Sequence, residues 1–359
     1  MIDFERYCNW LIASAQQTNY NPQIVSSLIE YARILNERNL PIIYNQEHLA
    51  LLMGKDYHYL LGVSNSTETN YKRYNLPKRH GGFRIIMEPF ASLKQSQDWI
   101  LKNILYPITD NYVAKNAKAY VPGLSIKDNA KLHCKKDIVM NIDLKDFFGS
   151  ITFKMVLDFF LSLGYTRAVS VMLANLCTCQ GSLPQGAPTS PMLSNMIFRH
   201  VDNYIFSYCR KNKILFSRYA DDMTFSGSFN EHKLLYFLNE ILVNSGFRIN
   251  YKKVKTYHKY QRQVVTNVVV NESPHVRRNI LRSLRQESYY ISKYGISQHM
   301  ARIECPLEKD YYLKRILGKI NYALFLNPKD KYMKIAKTQI YNEIKRVSAT
   351  ANTASEISF

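Results

Sequence analysis

The stretch Ile214-Leu215-Phe216-Ser217-Arg218-Tyr219-Ala220-Asp221-Asp222-Met223-Thr224-Phe225-Ser226-Gly227 decides how this chain is read. Ile214 to Arg218 has the composition of one strand and Met223 to Ser226 that of the next, closed by Gly227. Tyr219-Ala220-Asp221-Asp222 then forms the tip of a β-hairpin. Two adjacent carboxylates repel each other, and a folded site tolerates them when a cation lies between them. Mg²⁺ suits the role, because it takes oxygen ligands and is held by one or two carboxylates plus substrate phosphates. A lone Asp-Asp pair is ambiguous, since turns favour aspartate for its local hydrogen bonds.

A matching carboxylate lies upstream. The apolar run Ile138 to Ile142 reads as a buried strand that delivers Asp143 at its C-terminal end. Ser150 then reads as a helix cap, with Met155, Val156, Phe159, Phe160 and Leu163 on one helical face and Gly164 as the stop. A strand-end carboxylate beside a hairpin-tip pair is the arrangement used in two-metal phosphoryl transfer; taken alone, Asp143 could equally begin a turn. Between these segments, Leu183-Pro184-Gln185-Gly186-Ala187-Pro188-Thr189-Ser190-Pro191 forms a rigid loop opening a helix, with Ser190 as cap and Pro191 at the first helical position. Gly186 would let the backbone approach a flat ligand, and Gln185 would offer an amide there.

Together the three segments resemble the reverse transcriptase family, in that family's order and approximate spacing. A fourth element, Leu76-Pro77-Lys78-Arg79-His80-Gly81-Gly82-Phe83-Arg84-Ile85-Ile86, resembles its fingers hairpin. Within the family the chain is similar to bacterial retron enzymes. Asn129-Ala130-Lys131-Leu132-His133 matches their Asn-Ala-x-x-His element, and Val265-Thr266-Asn267 their Val-Thr-Gly segment, with Asn267 where glycine is usual. Asparagine tolerates positive φ better than other non-glycine residues, so the turn is expected to persist.

The resemblance implies an α+β right-hand polymerase with fingers, a palm built on an antiparallel sheet with packed helices, and a helical thumb. The implied organisation is a helical extension over 1–70, fingers and palm over 71–250, a nucleic-acid-binding thumb over 251–346 and a disordered tail over 347–359. Asp143, Asp221 and Asp222 would hold two Mg²⁺ ions, and deoxynucleoside triphosphates (dNTPs) would be the substrates. Lys78 and Arg84 would clasp the triphosphate, Gln185 would contact the nucleotide, and Phe148 would exclude a ribose hydroxyl. Asn129, His133, Val265, Thr266 and Asn267 are candidates for RNA engagement, with a satisfied structural pair near the palm as the equal alternative for Asn129 and His133. Arg278, Arg282 and Arg285 share one helical face where a duplex backbone could lie.

A retron enzyme would start from a 2′-hydroxyl of a guanosine in its cognate non-coding RNA. It would leave a branched RNA–DNA product (msDNA) and serve antiphage defence beside a separate effector protein. Two alternatives stay open: another, group II intron-like enzyme primed from a 3′-hydroxyl, or an RNA-binding scaffold or antitoxin with secondary catalysis.

Composition agrees independently. The chain has 359 residues and a formal charge of +20, a balance that favours a polyanionic partner and argues against an ordinary metabolic enzyme. Arg248 to Arg285 carries ten Lys or Arg residues and one acid, Glu272, interleaved with tyrosines and histidines, a mixture suited to phosphate contact and base stacking. The six cysteines show no paired framework or zinc spacing, so reduced thiols and a cytoplasmic location are expected. No signal peptide is expected, because Asp3, Glu5 and Arg6 interrupt the N-terminus before any apolar core, and no membrane partner, since no apolar run approaches the length of a bilayer span.

Overall fold

The computed structural model describes residues 4–18, 20–78 and 81–356. Four helices come first: α1 (Phe4–Gln17), α2 (Pro22–Glu37), α3 (Gln46–Leu52) and α4 (Tyr57–Asn65). Asn21, Asn45 and Asp56 cap the last three, each side chain accepting a backbone N–H of the first turn. In these helices Ala32 and Leu35 are buried, whereas Trp10 and Ile24 are exposed. Next, β1 (Tyr71–Pro77) and β2 (Phe83–Pro89) pair as a mostly exposed antiparallel ribbon, in register from Tyr71↔Pro89 to Pro77↔Phe83. Arg79 and His80 of this fingers-like hairpin lie outside the described residues.

After α5 (Ala91–Ile100), α6 (Thr109–Tyr112) and α7 (Ile126–Lys131), the chain enters its central sheet with β3 (Ile138–Asp143). The elements α8 (Phe153–Ser162), α9 (Arg167–Cys177), α10 (Ser190–Lys211), β4 (Leu215–Tyr219), β5 (Asp222–Gly227), α11 (Glu231–Asn244) and β6 (Lys255–His258) follow. The sheet order is β4-β5-β3-β6, and every pairing in it is antiparallel. Burial of Val139, Met140, Ile142, Met223 and Phe225 anchors this sheet in the core. Two caps fall beside their expected positions. Thr152, not Ser150, caps α8, and Thr189 occupies the cap position of α10, putting Pro191 one residue further in. Ser150 instead turns its hydroxyl onto the Asp146 carbonyl, 2.9 Å away.

A second hydrophobic cluster gathers β7 (Val264–Val265), β8 (Val268–Val269), α12 (Arg278–Tyr294), α13 (Ile296–Arg302), α14 (Lys309–Leu326) and α15 (Lys331–Glu356) around Leu284, Ile316, Ile320, Met333 and Ile340. Val139 of β3 belongs to this cluster too, so the helical half packs onto the sheet that carries Asp143. Strands β7 and β8 form a tight hairpin. Its two loop residues, Thr266 (φ 45) and Asn267 (φ 67), both take the left-handed backbone of a type I′ turn. Asn267 therefore does what the usual glycine would do. Helix α15 continues to Glu356, which corrects the disordered tail expected over 347–356; the chain carries no glycine or proline after Pro328 to stop it. Residues 357–359 lie outside the described ones.

Gly186 explains how the loop before α10 meets the ribbon. Its φ is +128, and a Cβ there would stand 2.7 Å from the Met87 carbonyl oxygen of β2. Gln185 O accepts the Met87 N–H at 2.8 Å. The glycine is required by a neighbouring strand, where a ligand's approach was expected. Gly123, at φ +80, has open space around its missing Cβ, so Gly123→Ala should cost about 1 kcal/mol for conformation alone. Gly186→Ala should cost more, about 2–3 kcal/mol, because backbone must move as well. Urea unfolding of both variants measures the difference; equal costs would mean that the close approach is unimportant.

Candidate active site

The sheet register creates the site. Asp143, the last residue of β3, pairs directly with Asp222, the first residue of β5. Directly paired residues have Cβ atoms about 4.5–5.5 Å apart, so these carboxylates share one small volume. Asp221 adjoins them in the two-residue tip, where its carbonyl accepts the Leu144 N–H at 3.0 Å. Ala220, the other tip residue, has φ 59, a conformation unfavourable for any residue with a Cβ.

The electrostatics follow from that crowding. Burial, then the neighbouring Asp221 and Asp143, push Asp222 up from 3.8 to about 6. Burial and Asp143 also raise Asp221, while Lys253 and Arg84 pull it back. Asp143 carries its own counter-charge: Lys253 Nζ lies 2.8 Å from Oδ1, and Asn250 Nδ2 donates to Oδ2 at 3.0 Å. Nothing in the spacing singled out Asn250 and Lys253. They reach Asp143 because the segment around Arg248 and Ile249 bonds back along Lys145 and Leu144, a long-range pairing that sequence does not display.

These residues suit a divalent cation by donor chemistry. All three donors are hard oxygens, their mutual repulsion calls for positive charge, and the Lys253 ammonium already stands against one of them. Among the described residues, however, no three His, Cys, Asp or Glu side chains converge closely enough to hold a metal ion by themselves. Mg²⁺ is in general held by only one or two carboxylates together with substrate phosphates.

The other expected site residues divide into two groups. Arg84 is exposed on β2 and stands within electrostatic reach of Asp221. Lys78 is exposed at the end of the ribbon, its N–H bonded to Gly82 O at 2.9 Å. Phe148 is half-buried, edge-on to the buried Phe147 at 5.6 Å between ring centroids. Gln185 is half-buried in the loop that meets β2. Arg278, Arg282 and Arg285 are all exposed along α12, and the Arg285 guanidinium lies 4.2 Å from the Tyr332 ring centroid.

Asn129 and His133, expected to touch RNA, are fully buried. His133 bridges the palm strands, one ring nitrogen 2.7 Å from Ser226 Oγ and the other 2.7 Å from Ser217 Oγ. Burial holds its pKa down to about 3, so the ring is neutral. Ser217 donates to Asn129 Oδ1 at 2.6 Å, and Asn129 Nδ2 reaches Thr266 Oγ1 at 3.5 Å. This pair ties α7 to the β4–β5 hairpin, because a polar group buried away from water must find partners. Val265 is buried as well; Thr266 is half-buried, and of this hairpin candidate only Asn267 is exposed.

Comparison with known proteins gives the same direction. Residues 76–288 match the family described as Reverse transcriptase (RNA-dependent DNA polymerase). The chain is 31% identical over 269 residues to the retron Ec86 reverse transcriptase of Escherichia coli, covering 73% of this chain and 83% of that one. It is 28% identical over 321 residues to the retron Mx65 reverse transcriptase of Myxococcus xanthus, covering 80% of this chain and 70% of the other. Among solved structures, telomerase from Candida albicans in complex with a fragment of telomeric RNA matches with a TM-score of 0.45 and 12% identity, over 80% of this chain and 65% of that one.

The raised Asp222 carboxyl has a sign that can be tested. The unfolded chain releases this proton near 3.8 and the folded chain near 6. The destabilisation therefore grows as pH rises through that window, is complete above it and absent below it. In metal-free protein at pH 7.5, Asp222→Asn should stabilise by about 1 kcal/mol once solvent screening at the partly exposed carboxyl is allowed for. The gain should shrink as pH falls towards 4.5. A gain independent of pH would contradict the electrostatic origin.

Proposed function

Because the chain belongs to the reverse transcriptase family and is an RNA-directed DNA polymerase of the retron group, we propose that Asp143, Asp221 and Asp222 are its metal-holding catalytic set. The observation that carries this reading is the register of Asp143 against Asp222, with Asp221 in the adjoining turn. Bound there, two Mg²⁺ ions would supply the positive charge that phosphoryl transfer needs. The chain's own residues do the positioning. The primer hydroxyl attacks the α-phosphorus of a deoxynucleoside triphosphate, a new P–O bond forms and pyrophosphate leaves. Arg84 and Lys78 hold the triphosphate, Gln185 contacts the nucleotide, and Phe148 fills the space a ribose 2′-hydroxyl would need. Such positioning and electrostatic stabilisation carry most of the rate in this chemistry.

The retron reading extends further. We infer that the template is a cognate structured RNA, that synthesis starts from a 2′-hydroxyl of a guanosine in it, and that the product is branched msDNA. The function is antiphage defence in the cytoplasm with a separate effector protein. Asn267 at the exposed hairpin turn and Arg278, Arg282 and Arg285 along α12 supply the RNA contacts. Asn129, His133 and Val265 support them from within, since all three are buried. Among the described residues no helix is long and apolar enough to cross a membrane.

Expression with the RNA encoded beside the gene, followed by a denaturing gel before and after debranching, tests this proposal. A discrete DNA that shortens on debranching and vanishes in Asp221→Asn/Asp222→Asn is the expected result. Unbranched DNA would reject 2′ priming and keep the polymerase; RNA without DNA would favour a scaffold. Separately, Phe148→Ala should raise ribonucleotide incorporation relative to deoxynucleotide by about 10- to 100-fold. An unchanged ratio in single-nucleotide extension would remove Phe148 from the nucleotide site.

A further inference from the structure

Arg218, two residues before the hairpin tip, is fully buried, and so is its partner Asp202 on α10. Its Nε lies 2.9 and 3.1 Å from the two Asp202 oxygens, and Nη2 lies 2.6 Å from Oδ2. Nη1 donates to Asn195 Oδ1 at 3.1 Å and to the Ala220 carbonyl at 3.0 Å. The guanidinium carbon stands 4.7 Å from the centroid of the Phe198 ring and 5.6 Å from that of Phe147. The backbone is clamped as well, with Arg218 N–H on Asn116 O at 2.9 Å and Arg218 O accepting from Lys118 N–H at 2.8 Å. Asn116 Nδ2 adds a bond to Asp202 Oδ1 at 3.2 Å.

A buried ion pair contributes little net stability, because desolvating both charges offsets most of their attraction. Its value here lies in what the rigid guanidinium fork can reach. The Ala220 carbonyl belongs to the peptide unit that leads into Asp221, so fixing that oxygen fixes the plane from which the Asp221 side chain departs. Ala220 also sits at φ 59, a conformation that persists only when its surroundings over-determine it. Through Phe147 the same guanidinium touches the turn that follows Asp143 and carries Phe148. Through Asp202 and Asn195 it is attached to the helix opened by the Gln185–Gly186 loop. One side chain thus joins three segments of the site without itself reaching solvent.

We propose that the Arg218–Asp202 pair is a positioning device for polymerisation: it holds the Ala220–Asp221 peptide so that Asp221 and Asp222 face Asp143 in one arrangement. The inference rests on the assignment of those three aspartates as the metal-holding set. The test replaces both charges by apolar groups of similar volume, Arg218→Met/Asp202→Leu, which leaves no unpaired buried charge. Extension of a 3′ primer on an RNA template is measured, an assay independent of 2′ priming. The double variant should unfold near the parental temperature and keep its dNTP KM within about threefold, while kcat falls about 100-fold, the scale expected of a misplaced reacting group. The Mg²⁺ concentration for half-maximal rate should rise. Recovery of kcat to within about threefold of the parent would overturn the proposal, since the pair would then be core filling.

If the double variant does not fold, Arg218→Lys decides instead. It keeps the buried charge for Asp202 but lacks the fork that reaches Ala220 O. Folded protein with parental kcat overturns the proposal, and a kcat loss at unchanged KM supports it. Asp222→Asn in the parental background is run alongside. If that variant stays active, the assignment of the aspartates fails, whatever Arg218 does.

Discussion

Asp143 and Asp222 face each other across two hydrogen-bonded strands, with Asp221 beside them in the β4–β5 turn, and the rest of the site is arranged around their mutual repulsion. Left alone, such a cluster would be better folded with fewer charges, as the upward displacement of Asp221 and Asp222 shows. The protein answers with cations placed at different depths. Lys253 lies against Asp143, and Arg84 acts on Asp221 from the exposed ribbon. Arg218 is held beneath the tip, where it bonds the backbone and spends its charge on Asp202. A site with that much unbalanced negative charge is suited to metal ions that arrive with a triphosphate.

The same constraint explains why the surrounding scaffold is so closely tied. The loop at Gln185–Gly186 is bonded to β2, so the ribbon carrying Arg84 is attached to the start of α10. That helix in turn presents Asn195 and Asp202 to Arg218. Asn129 and His133 fasten α7 to the two strands of the β4–β5 hairpin, and Val139 joins β3 to the helical half. Segments far apart in sequence therefore meet at one end of the two central strands, as a rigid functional site requires.

Much of this was legible in the residues. The hairpin around Tyr219-Ala220-Asp221-Asp222 and the strand ending at Asp143 announced themselves by short apolar runs and their boundaries. Asn267 was readable as a turn residue, because asparagine accepts positive φ. What escaped was set by long-range packing. Gly186 was assigned to a ligand when its neighbour is Met87. For Asn129 and His133 the residues left RNA contact and a satisfied structural pair equally open, and only the packed structure shows their side chains bonded within the core. Asn250 and Lys253 carried no local signal, since only the return of their segment along β3 brings them to Asp143. The continuation of α15 past 347 was hidden by a small, polar composition that nonetheless lacks any helix breaker.

The central claim is that the three carboxylates form a cation site that substrate phosphates complete. Its most direct test is Mn²⁺ binding, followed by electron paramagnetic resonance on the protein with and without a non-hydrolysable deoxynucleoside triphosphate. The account predicts weak binding to the protein alone, a marked tightening when the nucleotide is present beyond what the nucleotide binds by itself, and loss of that tightening in Asp143→Asn. Equally tight binding without nucleotide, or in a variant with all three aspartates replaced by asparagine, would contradict it.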